Sequence, residues 1–228
     1  MISEIKEIIK QNYETVPYHN FWLVLETGLN PSNQGGICTD RNFYLFQELK
    51  EKGFNVKLQS AQINGENIHQ LIKINIKNEP FLIDVGLGWA IMQPIPLNYE
   101  SEQSAFGLNF KMKIINNQLY LYKVSKEKES LNYITNITEY DQRKIMIEIN
   151  NSYNKEINYP FRKSIRFSKV VNNEFYFLKG NILFYSKNNM LYSKPINSMT
   201  EFENLFQNTF KFDLEIAKNV ANKLKMFN

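Results

Sequence analysis

Two hydrophobic periods divide the chain. Ile2, Ile5, Ile8 and Ile9, with acidic residues in the first turn, predict an amphipathic helix at the start. A second helical run begins close to Cys38, carries Phe43, Leu45, Phe46 and Leu49, and meets a suitable C-terminal stop in Gly53. Residues 11–34 are irregular and mix Tyr13, Tyr18, Phe21 and Trp22 with Asn30-Pro-Ser-Asn-Gln, which predicts a packed loop. From Phe54 the period changes to two. Phe54–Ser60, His69–Ile76, Pro80–Asp84, Phe106–Ile115 and Leu119–Val124 read as sequential antiparallel strands, with turns at Lys77-Asn78-Glu79 and Asn116-Asn117. The loop Gln93-Pro-Ile-Pro-Leu-Asn is barred from a central strand because proline lacks the donor. Several strands in succession imply a small barrel or curled sheet.

The segment Asp141–Asn151 is read as a short helix, although Ile145, Ile147 and Ile149 alternate in a way that equally permits a strand. Strand pattern restarts at Tyr159-Pro-Phe-Arg and continues as a meander over Ser164–Val171, Glu174–Lys179, Ile182–Lys187 and Met190–Ser193. Its turns are Asn172-Asn173, Gly180-Asn181 and Asn188-Asn189. Ser198-Met-Thr-Glu201 is a capping box ahead of Phe202, Leu205, Phe206 and Phe210, and Asp213 caps a last helix carrying Ile216, Ala217, Val220 and Leu224. The expected class is α+β: an N-terminal helical region, a central antiparallel barrel-like region and a C-terminal sheet with helices.

At 228 residues the chain is long enough to bury a core without disulfides, and its single cysteine cannot form an internal bridge. The free thiol suits a reducing compartment. With 27 Lys and Arg against 23 Asp and Glu, the net charge of +4 is modest, and the basic residues are interspersed with acids, as in Lys126-Glu-Lys-Glu. That argues against a nucleic-acid stripe and leaves at most mild attraction to an anionic ligand. No secretory signal pattern and no membrane-length apolar run occur, since Phe81–Leu97 is broken by Asp84, Gln93 and two prolines. A soluble cytoplasmic protein is expected.

Candidate chemistry starts at Cys38. A helix N-terminus favours a thiolate over a thiol, and Gly35-Gly36 just before the cysteine let the backbone turn sharply and bring N–H groups near a ligand oxygen. A lone cysteine is nevertheless more often a buried packing residue, so partners are needed. The only histidines are His19 and His69. His19 lies in an aromatic segment, Val16-Pro-Tyr-His-Asn-Phe, that reads as packing. His69 lies at the start of a hairpin strand, and Asp84 ends the other strand, so the two are near cross-strand neighbours. A carboxylate closing the apolar run Phe81-Leu-Ile needs a partner, and an imidazole N–H is one.

Gly-Gly-Ile-Cys-Thr-Asp-Arg-Asn, then Asn-Ile-His-Gln-Leu, then Phe-Leu-Ile-Asp-Val-Gly-Leu-Gly resembles the arylamine N-acetyltransferase family. That family carries Arg-Gly-Gly-x-Cys-x-Glu-x-Asn, a histidine before an apolar strand, and Asp-Val-Gly-Phe-Gly, in that order. The resemblance implies Cys38 as acyl-accepting nucleophile, His69 as general base and Asp84 as the residue that orients and charge-stabilises His69. It also implies a cysteine-protease-like core in three regions: residues 1–53 with the nucleophile, 54–152 with the histidine and aspartate, and 153–228 as an α/β lid. The implied reactants are acetyl coenzyme A and a small arylamine, hydrazine or N-hydroxyarylamine, with no metal, nucleic acid or membrane. Gln34 stands where the family has arginine, Asp40 where it has glutamate, and Leu87 where a phenylalanine lines the acceptor pocket; Asn42 fits. The segment before the cysteine is also shorter than in the family.

No Cys-x-x-Cys, phosphate-cradling glycine loop, metal-spaced histidine pair or Gly-x-Ser-x-Gly elbow competes. Two other classes stay open: a cysteine hydrolase or transglutaminase-like amidase with the same Cys, His, Asp order, and a catalytically silent binding protein of the same fold.

Overall fold

The computed structural model describes residues 1–126, 128–138, 140–154 and 160–227. Helix α1 spans Ile2–Thr15 and buries Ile5, Ile9, Asn12 and Tyr13. The predicted loop that follows is more ordered than its pattern indicates. Strand β1, Tyr18–His19, and helix α2, Phe21–Leu25, are held by burial of Tyr18, Phe21 and Trp22, a tertiary effect that leaves no periodic trace. Helix α3 spans Cys38–Glu51. Leu45 and Leu49 enter the main core, while Phe43 and Phe46 pack on their neighbours from the side.

Eight strands follow: β2 Val56–Ile63, β3 Glu66–Ile76, β4 Glu79–Ile83, β5 Ile95–Pro96, β6 Ser101–Ala105, β7 Leu108–Ile115, β8 Gln118–Ser125 and β9 Lys128–Asn136. They form an antiparallel sheet ordered β5-β4-β3-β2-β9-β8-β7-β6, nearly closed into a barrel. Strands β6 and β9 were outside the expectation; β6 carries no buried residue, and polar residues occupy most of the first half of β9. The proline-bearing β5 takes the edge, as the missing donor requires. Asn116 and Asn117 adopt φ of +49° and +62°, the left-handed pair that a two-residue hairpin with matching twist needs.

Helix α4, Gln142–Asn151, settles the ambiguous segment. Asp141 accepts from the Arg143 N–H, Ile145 and Ile149 are buried, and Ile147 is 60% exposed on the opposite face, where a strand would have aligned all three. The expected strand restart at Tyr159-Pro-Phe-Arg is instead a 3₁₀ turn over Pro160–Arg162, with Tyr159 outside the described residues.

The meander appears as β10 Arg166–Val171, β11 Glu174–Lys179, β12 Ile182–Lys187 and β13 Met190–Pro195. Strand β1 adds to its edge, giving the order β1-β10-β11-β12-β13. The N-terminal segment thereby enters the C-terminal sheet. Helix α5, Met199–Asn204, is capped by Ser198, continues as a π-helical turn over Leu205–Phe210, and precedes α6, Leu214–Lys223, capped by Asp213. Two cores result. One lies between α1, α3 and the larger sheet, and the other joins α2, β10 and the C-terminal helices through Phe21, Phe167, Phe202, Phe206 and Phe210.

Candidate active site

Cys38 is the first residue of α3, so the first-turn N–H groups around it lack helical acceptors. The turn into the helix is fixed from both sides. Gly35 sits at φ +84° against the Pro17 carbonyl, where a Cβ would lie 1.9 Å from the oxygen, and Gly36 at +152° faces the Asp40 carboxylate. Asp40 closes the helix start by accepting from the Ile37 N–H at 3.0 Å, the Asn30 N–H at 2.7 Å and the Tyr153 hydroxyl at 2.5 Å. Burial pushes its carboxyl up to about 6, with these three donors holding it down. The Gln34 side chain accepts from the Asn30 amide at 3.2 Å, so two of the positions that depart from the family pattern, Gln34 and Asp40, meet through Asn30.

The hairpin delivers the other two groups as the register demands. Ile72 pairs with Ile83, which carries His69 to the level of the residues just beyond β4. There His69 Nε2 lies 2.9 Å from Asp84 Oδ2, with both residues 1% exposed. Asp84 also accepts from the Gly86 N–H at 2.8 Å. With Nε2 engaged, Nδ1 is the nitrogen left free to serve Cys38, whose thiol donates to the Ile68 carbonyl at 3.5 Å and lines the same cavity as His69. Burial lowers the imidazole's proton affinity, but the Asp84 carboxylate and the Cys38 sulfur more than offset this and raise its pKa to about 10. Cys38, His69 and Asp84 are therefore brought together, and Leu87 lines the same cavity.

Asn42, which fits the family pattern, and several residues to which the sequence assigned no role hold this group in place. Asn42 donates to the Gln70 carbonyl at 2.6 Å and accepts from the Val85 N–H at 3.1 Å, pinning α3 to β3 and to the segment just beyond β4. Gln70 Oε1 accepts from Thr39 at 2.6 Å and lies 3.8 Å from the Cys38 sulfur. The fully buried Arg41 donates to the Val85 carbonyl and to Asn12 Oδ1, and stacks over Tyr13. Tyr13 in turn donates to the Asp84 carbonyl at 3.0 Å. Tyr133 packs on His69 at 5.1 Å. A signal for Arg41 was present: a charge one helical turn from both Cys38 and Leu45 lies on the buried stripe. Gly86 approaches so closely that a Cβ would sit 2.4 Å from the Cys38 Cα, which explains the glycine after Val85.

The site opens into a cavity of about 390 Å³ whose wall includes Tyr18, Leu87, Trp89, Asn132 and Arg166. His19 is elsewhere. It is fully buried among Phe21, Trp22, Phe167 and Phe212, accepts the Phe21 N–H at Nδ1 and donates from Nε2 to the Gln34 carbonyl at 2.9 Å. Phe21 and Trp22 belong to that core too, as the packed-segment reading expected. Among the described residues no cluster of His, Cys, Asp and Glu is arranged to hold a metal, and no helix is long and apolar enough to cross a membrane.

A sequence model described as N-acetyltransferase matches residues 2–220. A Bacillus subtilis protein named uncharacterized acetyltransferase YvcN is 31% identical over 115 residues, 46% of this chain and 43% of its own length, so the match spans less than half of that relative. Among solved structures, Mycobacterium marinum arylamine N-acetyltransferase in complex with CoA superposes with a TM-score of 0.83 at 12% identity, covering 100% of this chain and 94% of that one. A Bacillus cereus arylamine N-acetyltransferase described as having a unique Cys-His-Glu catalytic triad gives 0.72 at 21% identity, covering 93% and 90%.

Proposed function

The chain belongs to the arylamine N-acetyltransferase family, and from that premise we propose that it carries an acetyl group from acetyl coenzyme A to an arylamine, hydrazine or N-hydroxyarylamine nitrogen by way of Cys38. The observation that supports this most is the 2.9 Å bond between His69 and Asp84, made inside the protein directly behind the Cys38 cavity. In the first half-reaction the Cys38 sulfur attacks the thioester carbonyl. First-turn N–H groups of α3 stabilise the oxyanion, the carbon–sulfur bond to coenzyme A breaks, and His69 returns a proton to the departing thiolate. In the second the amine attacks acetyl-Cys38, His69 takes the nitrogen's proton, and the Cys38 thiolate leaves. Asp84 fixes the tautomer with Nε2–H toward itself and stabilises the imidazolium at each stage. Leu87 contacts the acceptor, residues 153–228 cover the cavity as a lid, and the free thiol suits the cytoplasm.

Intact mass spectrometry tests the reading. Acetyl coenzyme A alone is expected to leave one acetyl group on Cys38, and an arylamine to discharge it. Folded protein that takes no acetyl group overturns the proposal in favour of a silent binding protein. Rapid loss of the adduct without amine overturns it in favour of a hydrolase.

A further inference from the structure

Among the described residues Arg41 is the only lysine or arginine that is fully buried, and it lies one helical turn from Cys38 on α3, at a position the family pattern leaves open. A buried guanidinium is stable when it meets a carboxylate or fills every donor, and Arg41 is poorly supplied on both counts. Its acceptors are neutral: the main-chain oxygens of Val85 and Asn12 and the Asn12 side-chain oxygen. Its Nε has no acceptor, and the Nδ2 of that same Asn12 is buried without one too. Burial pulls the Arg41 pKa down to about 10, which still leaves it charged at neutral pH. Such a cation costs stability unless the interior has a use for it. Arg41 attracts the Asp84 carboxylate, holds the carbonyl of the next residue, Val85, and stacks on Tyr13, whose hydroxyl holds the Asp84 carbonyl. Once the proton of Cys38 Sγ has moved to His69 Nδ1, the buried group contains a thiolate, an imidazolium and a carboxylate. That is one negative charge in excess, and Arg41 brings the sum to zero. The other groups facing it supply no such charge. Tyr13 of α1, Tyr18 of β1, Tyr133 of β9 and Tyr153 beyond α4 are phenols kept neutral by burial, His19 is neutral, and Asp40 is an acid. Arg166 and Lys179 lie on the cavity wall, partly or fully exposed, where solvent screens them.

We propose that Arg41 is a positioning residue of this site: its buried positive charge balances the thiolate, imidazolium and carboxylate, and so sets the pH above which Cys38 reacts. This rests on the acyl-transfer reading of the site. Arg41 touches no reactant and acts through Asp84 and the Cys38 sulfur.

The test follows alkylation of Cys38 by iodoacetamide between pH 4 and 9, beside urea unfolding of each variant. Arg41→Met keeps the length and removes the charge. The midpoint of its rate–pH profile is expected to rise by about 1 unit, a fall of about 10-fold in rate on the acid side. Asn12→Asp is the sharper variant. It keeps an oxygen 2.6 Å from the guanidinium, makes that oxygen anionic and replaces the unpaired amide nitrogen, so the urea midpoint is expected to hold while the profile moves up by about 0.5–1 unit. Arg41→Lys retains the charge without the fork and is expected to keep the parent's profile at lower stability. A parent-like profile in Arg41→Met or in Asn12→Asp overturns the proposal. So does a profile of Arg41→Lys displaced as far as that of Arg41→Met, which assigns the role to the hydrogen bonds alone. Any one of the three that folds decides the matter by itself. Iodoacetamide requires neither coenzyme nor acceptor, so a parent that alkylates yet takes no acetyl group from acetyl coenzyme A sinks the acyl-transfer reading and leaves the charge balance to be judged by the profiles.

Discussion

The two histidines of this chain are equally buried and have opposite properties. Around His19 the neighbours are rings and main-chain polar groups, and burial pushes its pKa down to about 3. Around His69 burial acts in the same direction, but Asp84 at 2.9 Å and Cys38 beside it reverse the outcome to about 10. Desolvation alone makes an imidazole a neutral packing group with two satisfied nitrogens. Desolvation with an adjacent carboxylate makes it a base that holds a proton against a sulfur, because the same low dielectric that penalises a lone charge strengthens a paired one.

The sharpest way to break this contrast is chemical. His69→Gln is expected to slow alkylation of Cys38 near pH 6 by about 100-fold or more, the usual scale of a lost general base. Asp84→Asn acts in the same direction by releasing the tautomer, and His19→Gln leaves the labelling rate of the folded protein unchanged. Rates measured by mass spectrometry that are alike in all three variants refute the partner assignment.

The second contrast is energetic. Phe206 is fully buried and meets Phe21, Phe167, Phe202 and Phe210 in the core that holds His19. Phe206→Ala is expected to cost about 3–5 kcal/mol in urea unfolding, with labelling of Cys38 per folded molecule retained. A variant that stays folded yet loses labelling shows that the two regions are coupled.

The pH dependence of stability separates the histidines by sign. Because the His69 pKa is raised from 6.5 to about 10, its contribution is fully present below 6.5 and is lost as pH climbs through 10. Because the His19 pKa falls from 6.5 to about 3, the unfolded chain binds the extra proton between those values. Its contribution is present above 6.5 and declines as pH drops toward 3. Thermal unfolding from pH 4 to 10 is expected to lose part of its alkaline slope in His69→Gln and part of its acid slope in His19→Gln. Parallel curves for parent and variants contradict both assignments.

The same contrast marks what a sequence reveals. His19 in an aromatic run, the His69–Asp84 hairpin and the Asn-Asn turns are local patterns, and each was legible because period and register place those residues without knowledge of the rest. The strands of the second sheet and the capped helices were legible for the same reason. Strand β1, helix α2 and the roles of Gln70 and Tyr153 were not. Tyr153 reaches Asp40 across 113 residues and Gln70 meets Thr39 across 31, so their meaning exists only after the chain has closed.

Asp40 offers the finest comparison, because it is a buried carboxylate at the same helix that lacks what Asp84 has. Asp84 faces an imidazole, whereas Asp40 is met by two backbone N–H groups and the Tyr153 hydroxyl. Dipolar donors recover less of the desolvation cost than a charge does, so Asp40 is left with a pKa raised to about 6. Tyr153→Phe removes the 2.5 Å donor while keeping the ring. It is expected to cost about 1–3 kcal/mol at pH 8, where the carboxylate is charged, and less at pH 5, where it is protonated. Since Asp40 holds the Ile37 N–H at the turn into Cys38, labelling of Cys38 is expected to slow by a few-fold at pH 8 and to recover toward parent at pH 5 relative to the parent's own rate. Equal losses at both pH values indicate that the hydroxyl serves only to fill space, and that the carboxylate at this helix start carries no charge to be stabilised.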